Sequence, residues 1–131
     1  MDKEFCNYTQ ALALKELGFD EPCMAIYYSK DKSFSWHHHK DHTNNEPTLD
    51  SGEFNISAPT YSAAFRFFRE RHDMHHGIGF TGSWYYDIDS MKNTENAVYE
   101  VAHKWNMKTY EEAEKACLEK LIEITKTKTN G

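Results

Sequence analysis

Three stretches of this chain start a helix in the same way, and the period of the residues between them changes. Asn7-Tyr8 precedes Ala11-Leu12, Thr60-Tyr61 precedes Ala64-Phe65, and Thr109-Tyr110 precedes Ala113. Asn or Thr before the first turn offers a side-chain oxygen to N–H groups that have no partner inside a helix. The first helix is expected over about Tyr8 to Leu17, stopped by Gly18, which suits the left-handed residue past a helix end. The second is expected over Tyr61 to His72, after Ala58-Pro59, with Tyr61, Ala64, Phe65 and Phe68 on its apolar face. Thr109-Tyr110-Glu111-Glu112 is a capping box that opens the third. Tyr110, Ala113, Cys117, Leu121 and Ile124 then recur at helical spacing, leaving Lys126 to Gly131 as a polar tail expected to fray.

Between these helices the period falls to two. Met24 to Tyr28 is short, apolar and β-prone, and Ser33 to Trp36 alternates after the polar turn Ser29 to Lys32. Asn55 to Ser57 reads as a brief strand and Ser83 to Asp89 as a longer one. Ala97 to Trp105 alternates with Tyr99, Val101, His103 and Trp105 on one face, opposite Val98, Glu100, Ala102 and Lys104. His37 to Gly52 is polar apart from Leu49 and reads as a mobile surface loop. The order α-β-β-(β)-α-β-β-α predicts an α+β fold, a mainly antiparallel sheet of about four strands carrying three helices. Leu12, Leu17, Ile26, Phe65, Phe68, Val101, Ala113, Cys117 and Leu121 are the expected core.

Length and charge bound what such a fold does. A chain of 131 residues suits one domain. With 15 Lys+Arg against 21 Asp+Glu, the net charge of −6 argues against an extended nucleic-acid partner, whose phosphates demand a basic surface. Mean hydropathy is −0.83 and no long apolar run offers a membrane span. The acidic, polar start MDKEFCNYTQ has no apolar leader core, and Cys6, Cys23 and Cys117 are odd in number and widely spaced. Both features point to the cytoplasm, with Cys117 a small buried hydrophobe.

Few motifs carry chemistry. His37, His39 and His42 belong to the run Trp36 to His42, and His75 and His76 form a second group. Both are weak metal candidates, because no closed four-ligand spacing appears. Gly77, Gly79 and Gly82 read as a flexible turn, in the wrong order for a dinucleotide fingerprint. Asp87 and Asp89 share a strand face and read as a solvated edge. No nucleophile elbow or phosphate loop occurs, so neither a catalytic set nor a cofactor is assigned. The more coherent pattern is cationic and aromatic. Arg66 and Arg69 lie three apart on one helix, and guanidinium groups grip phosphate. Tyr28, Trp36, Trp84, Tyr85 and Tyr86 offer rings on which a base can stack.

Three segments, EFCNYTQALALKELGFDEPC at Glu4 to Cys23, APTYSAAFRFFRE at Ala58 to Glu70 and TYEEAEKACLEKLIEI at Thr109 to Ile124, occur in that order. Together they cover about half the chain, and the chain resembles a widespread family of small Bacteroidetes phage and prophage proteins. That resemblance implies a phage accessory protein acting in the cytoplasm of an infected bacterium, and it assigns no catalytic residue. With the arginine–aromatic pattern it suggests a non-enzymatic module that sequesters a nucleotide-derived immune signal of the host. A second copy could complete the pocket. The alternatives are an inhibitor docking on a host protein and a metal-dependent hydrolase built on the two His groups.

Overall fold

The computed structural model describes residues 2–36, 43–44, 55–90 and 99–130. Contacts gather into two compact units, Met1–Thr60 and Tyr61–Gly131. The α+β class, the three helices and the antiparallel pairing are as read from the sequence. The strands number six among the described residues and divide into two three-stranded sheets.

The first unit holds α1 (Tyr8–Glu16), β1 (Ala25–Tyr28), β2 (Phe34–Trp36) and β3 (Asn55–Ser57). Asn7 caps α1 reciprocally. Its Oδ1 accepts from the Gln10 backbone N–H at 2.8 Å, and its own N–H donates to Gln10 Oε1 at 2.9 Å. At the other end Gly18, with φ +97°, lets Phe19 N–H return to the Leu14 carbonyl at 2.9 Å and closes the helix. Both β2 and β3 pair antiparallel with β1. Phe5, Ala25 and Ala58 form a core against which Tyr27, Phe34 and Trp36 pack. Of the loop expected from His37 to Gly52, only Thr43 and Asn44 lie among the described residues. The Asn44 amide donates to the Phe19 carbonyl at 2.6 Å and its Oδ1 accepts from Ser57 N–H at 2.8 Å.

The second unit holds α2 (Tyr61–His72), β4 (Met74–Phe80), β5 (Trp84–Ser90), β6 (Tyr99–Met107) and α3 (Tyr110–Asn130). Its sheet runs β4-β5-β6, antiparallel throughout, and α2 and α3 pack on it and on each other. Met74, Tyr86, Ile88, Ser90 and Met107 are buried from the sheet, against Phe65, Phe67 and Phe68 of α2 and Ala113, Cys117, Leu118, Leu121 and Ile122 of α3.

The structure corrects several expectations. His75 and His76, given above only as a weak metal candidate, lie in a strand, β4. One left-handed residue, Asp73 at φ +51°, turns α2 straight into β4. The Asp73 carboxylate accepts from His75 Nε2 at 2.9 Å and from Ser90 Oγ at 3.2 Å, which satisfies that turn. Gly77 and Gly79 lie inside β4, and only Gly82 of the three sits in the hairpin turn, at φ +87°. The tail is helical to Asn130, and Thr125 and Thr127 donate back to the Leu121 and Glu123 carbonyls at 2.8 and 3.0 Å. Leu12, Leu17 and Val101 are half-buried rather than core, and Tyr110 is 43% exposed.

Candidate functional site

Alternation along β5 sorts its side chains. Tyr86, Ile88 and Ser90 enter the helix-covered core, so Tyr85, Asp87 and Asp89 stand on the opposite, uncovered face. Their partners on β4 are Gly79, Gly77 and His75 in that order. On β6, His103 lies opposite Asp87 and Glu100 lies opposite Asp89.

Glu100 and His103 are three residues apart, so a regular strand would place them on opposite faces. The ladder with β5 is irregular here: Ile88 pairs with Ala102 and the next residue, Asp89, with Glu100. Val101 is the extra residue of a β-bulge, and the bulge rotates Glu100 onto the face of His103. A second irregularity lies between Trp84 and Tyr86, near Asn106 at φ +68°, and it returns Met107 to the core. Trp105 meets Tyr85 across the strands, ring centroids 4.7 Å apart and planes 32° apart.

The glycines of β4 make room for these side chains. A Cβ on Gly77 would sit 2.6 Å from Asp87 Oδ1, and one on Gly79 would strike the Tyr85 ring. Glycine at both positions lets the Asp87 carboxylate and the Tyr85 ring lie across the edge strand. The result is a hollow of about 200 Å³ lined by Tyr85, Asp87, Glu100, His103 and Trp105. Small-molecule sites usually measure roughly 300–1,000 Å³, so this one suits a single ring or head group.

Carboxylates dominate its electrostatics. Glu100 Oε1 lies 2.6 Å from His103 Nδ1, and because a carboxylate only accepts, that nitrogen carries the proton and leaves Nε2 for another partner. Burial first, then the charges of Asp89 and Glu100, hold the Asp87 carboxyl above the usual carboxylate range, against a smaller opposing effect of His103. Such a surface repels phosphate and attracts cations and hydrogen-bond donors.

The sequence-predicted residues scatter over both units. Tyr85 lies in the hollow. Tyr86 is 5% exposed and belongs to the core, so its ring offers no stacking face, a correction that follows from strand alternation. Trp84 is half-buried on the helix side, between Phe80 and Tyr110 at centroid distances of 5.2 and 5.5 Å. Arg66 and Arg69 project from the exposed side of α2, with Arg66 Nε 3.9 Å from Glu70 Oε1. Since α2 covers the opposite face, the arginines do not meet Tyr85. Trp84 pairs with Phe80 at one end of β4, whereas the charge of Arg69 bears on His76 near the other. In the first unit Tyr28 is 42% exposed, and Trp36 is held edge-on by Phe5 at 5.1 Å and Phe34 at 5.8 Å.

The His groups separate as well. His75 faces the uncovered side beside Asp89, while His76 stacks on Phe65 at 3.7 Å with the planes 7° apart. Burial, then the charge of Arg69, lowers the His76 pKa. His37, His39 and His42 lie outside the described residues. Among the described residues no three His, Cys, Asp or Glu side chains come together as a metal set. Asp87, Glu100, His103 and Trp105 are the site residues that sequence reasoning did not assemble. The usable signal was Gly-x-Gly facing Tyr-x-Asp, visible only once Gly77 and Gly79 are read as strand. No protein-family model, curated protein or solved structure matches this chain.

Proposed function

We propose that the chain is a non-enzymatic binding module that captures a small host molecule on the uncovered face of its second sheet. The hollow between Tyr85, Trp105 and the Asp87, Glu100 and His103 side chains carries this reading. The sequence resemblance to small Bacteroidetes phage proteins gives it a setting, sequestration of a host immune signal in the infected cell. If that signal is a nucleotide, the hollow takes its base and the phosphates project away from the carboxylates.

Calorimetry of the full chain against cyclic and linear nucleotides, nucleosides and small amines tests the reading. Trp105→Ala should weaken any ligand by about 1–3 kcal/mol, the worth of one stacking ring. Gly79→Ala, which drives the Tyr85 ring off β4, should weaken the same ligand while leaving the fold intact. The reading fails if the folded wild type binds nothing at millimolar concentration, or if neither substitution alters what it does bind.

A second reading, an inhibitor that docks on a host protein, is favoured by one observation. Phe80 at 59% and Tyr110 at 43% exposure flank Trp84 at one end of the sheet, an apolar patch on the helix side. Phe80→Asp would abolish such docking and leave small-ligand binding in the hollow unchanged.

A further inference from the structure

We infer that the hollow recognises a planar guanidine-type edge, an N–C–N unit with two parallel N–H donors, gripped by the Asp87 carboxylate and covered by the Trp105 ring. This rests on the binding-module reading and adds the chemistry of the captured group.

Size comes first. About 200 Å³ admits one ring or one guanidinium, and a whole nucleotide would have to extend into solvent. Charge comes second. The titratable groups on this face are His75 from β4, Tyr85, Asp87 and Asp89 from β5, and Glu100 and His103 from β6. Three are carboxylates and the two histidines each already face one, at 2.9 Å for Asp73–His75 and 2.6 Å for Glu100–His103. Asp87 and Asp89 make no hydrogen bond among the described residues, and of the two only Asp87 lines the hollow, so its oxygens are open to a ligand there. A carboxylate with two open oxygens matches a pair of parallel N–H donors, and a guanidine presents that pair in a fixed plane. Flatness comes third, because the 49%-exposed Trp105, backed by Tyr85, offers a ring face to a planar group. An ammonium, a point charge without a plane, meets the ring only as a point charge and cannot offer the carboxylate two parallel donors.

Two sources supply this edge, the guanine base and small guanidinium compounds, and the test separates them. Calorimetry and Trp fluorescence are followed for guanosine, inosine, adenosine, agmatine and putrescine. Inosine lacks the second N–H donor of guanosine, and putrescine replaces the guanidinium of agmatine with a second ammonium. Guanosine should bind about tenfold or more tighter than inosine, or agmatine than putrescine, as loss of a charge-assisted hydrogen bond requires. Whichever pair discriminates names the source. Asp87→Asn, with its far-UV spectrum unchanged, should remove the discrimination, whereas Phe80→Asp should keep it.

Equal binding within both pairs, or discrimination that survives in Asp87→Asn, overturns the inference. Binding of adenosine alone overturns it and leaves the binding-module reading standing. Binding of none of the five overturns the inference, and the wider nucleotide panel then decides the module reading.

Discussion

Asp87 sits where a carboxylate is a burden on the fold. Burial and the neighbouring charges of Asp89 and Glu100 raise its pKa, so the folded chain holds its proton more tightly than the unfolded chain does. By linkage this group's contribution to stability falls as pH rises from the ordinary value of 3.8 to the raised value, and stays lowered above it. Asp87→Asn should therefore raise the thermal midpoint at pH 7, and the gain should vanish below about pH 4. Scanning calorimetry of both proteins at pH 3.5 and 7 checks the sign, and a destabilised variant at pH 7 would contradict it. Cys117 shows the opposite design. Burial, then the charges of Asp87 and Glu114, pushes its thiol up to about 12, and Cys6 and Cys23 are buried too. Because the thiolate is the reactive form, the folded chain at pH 8 should leave all three thiols unmodified by a chromogenic disulfide reagent, and denaturant should release three.

Elements with their own local signals were legible, and those held by partners were not. Asn7, Thr109 and Gly18 marked helix ends because capping is local chemistry, and each cap forms: Glu112 N–H, for one, donates to Thr109 Oγ1 at 3.0 Å. The face of α3 was readable from spacing at Ala113, Cys117 and Leu121, all buried, while Tyr110 turns outward to meet Trp84 and Glu114. Leu121 is 1% exposed, so Leu121→Ala should cost about 2–5 kcal/mol through lost transfer energy and the cavity left behind. Urea unfolding measures it, and a loss under about 1 kcal/mol would mean that the site collapses around the gap. In contrast β4 gave no strand signal. His75, Gly77 and Gly79 fill its uncovered face, and only Met74, His76, Ile78 and Phe80 alternate against the helices. Pairing with β5 and packing on α2 decide its conformation. The bulge at Val101 is likewise set by the register with β5, so strict alternation separated Glu100 from His103 and hid the site.

Across the whole molecule, composition spoke to charge and to hydropathy, and not to where contacts gather. No helix among the described residues is long and apolar enough to cross a membrane, as the mean hydropathy of −0.83 anticipated. The arginine–aromatic reading depended on which face of a sheet each residue occupies, and the fold sends α2 and Tyr85 to opposite faces. The net charge of −6 was readable at once, and the carboxylates of the hollow share its sign. A cationic guanidinium approaching the second sheet is therefore attracted before contact, whereas neutral guanosine is not. The Debye length shrinks from about 30 Å at 0.01 M salt to about 8 Å at 0.15 M, so the attraction acts over distance only at low salt. Stopped-flow Trp fluorescence should show the association rate of agmatine falling severalfold across that range while its dissociation rate changes less. The guanosine rate should stay level, and an agmatine rate equally indifferent to salt would mean that the carboxylates of the hollow carry less charge than their number implies.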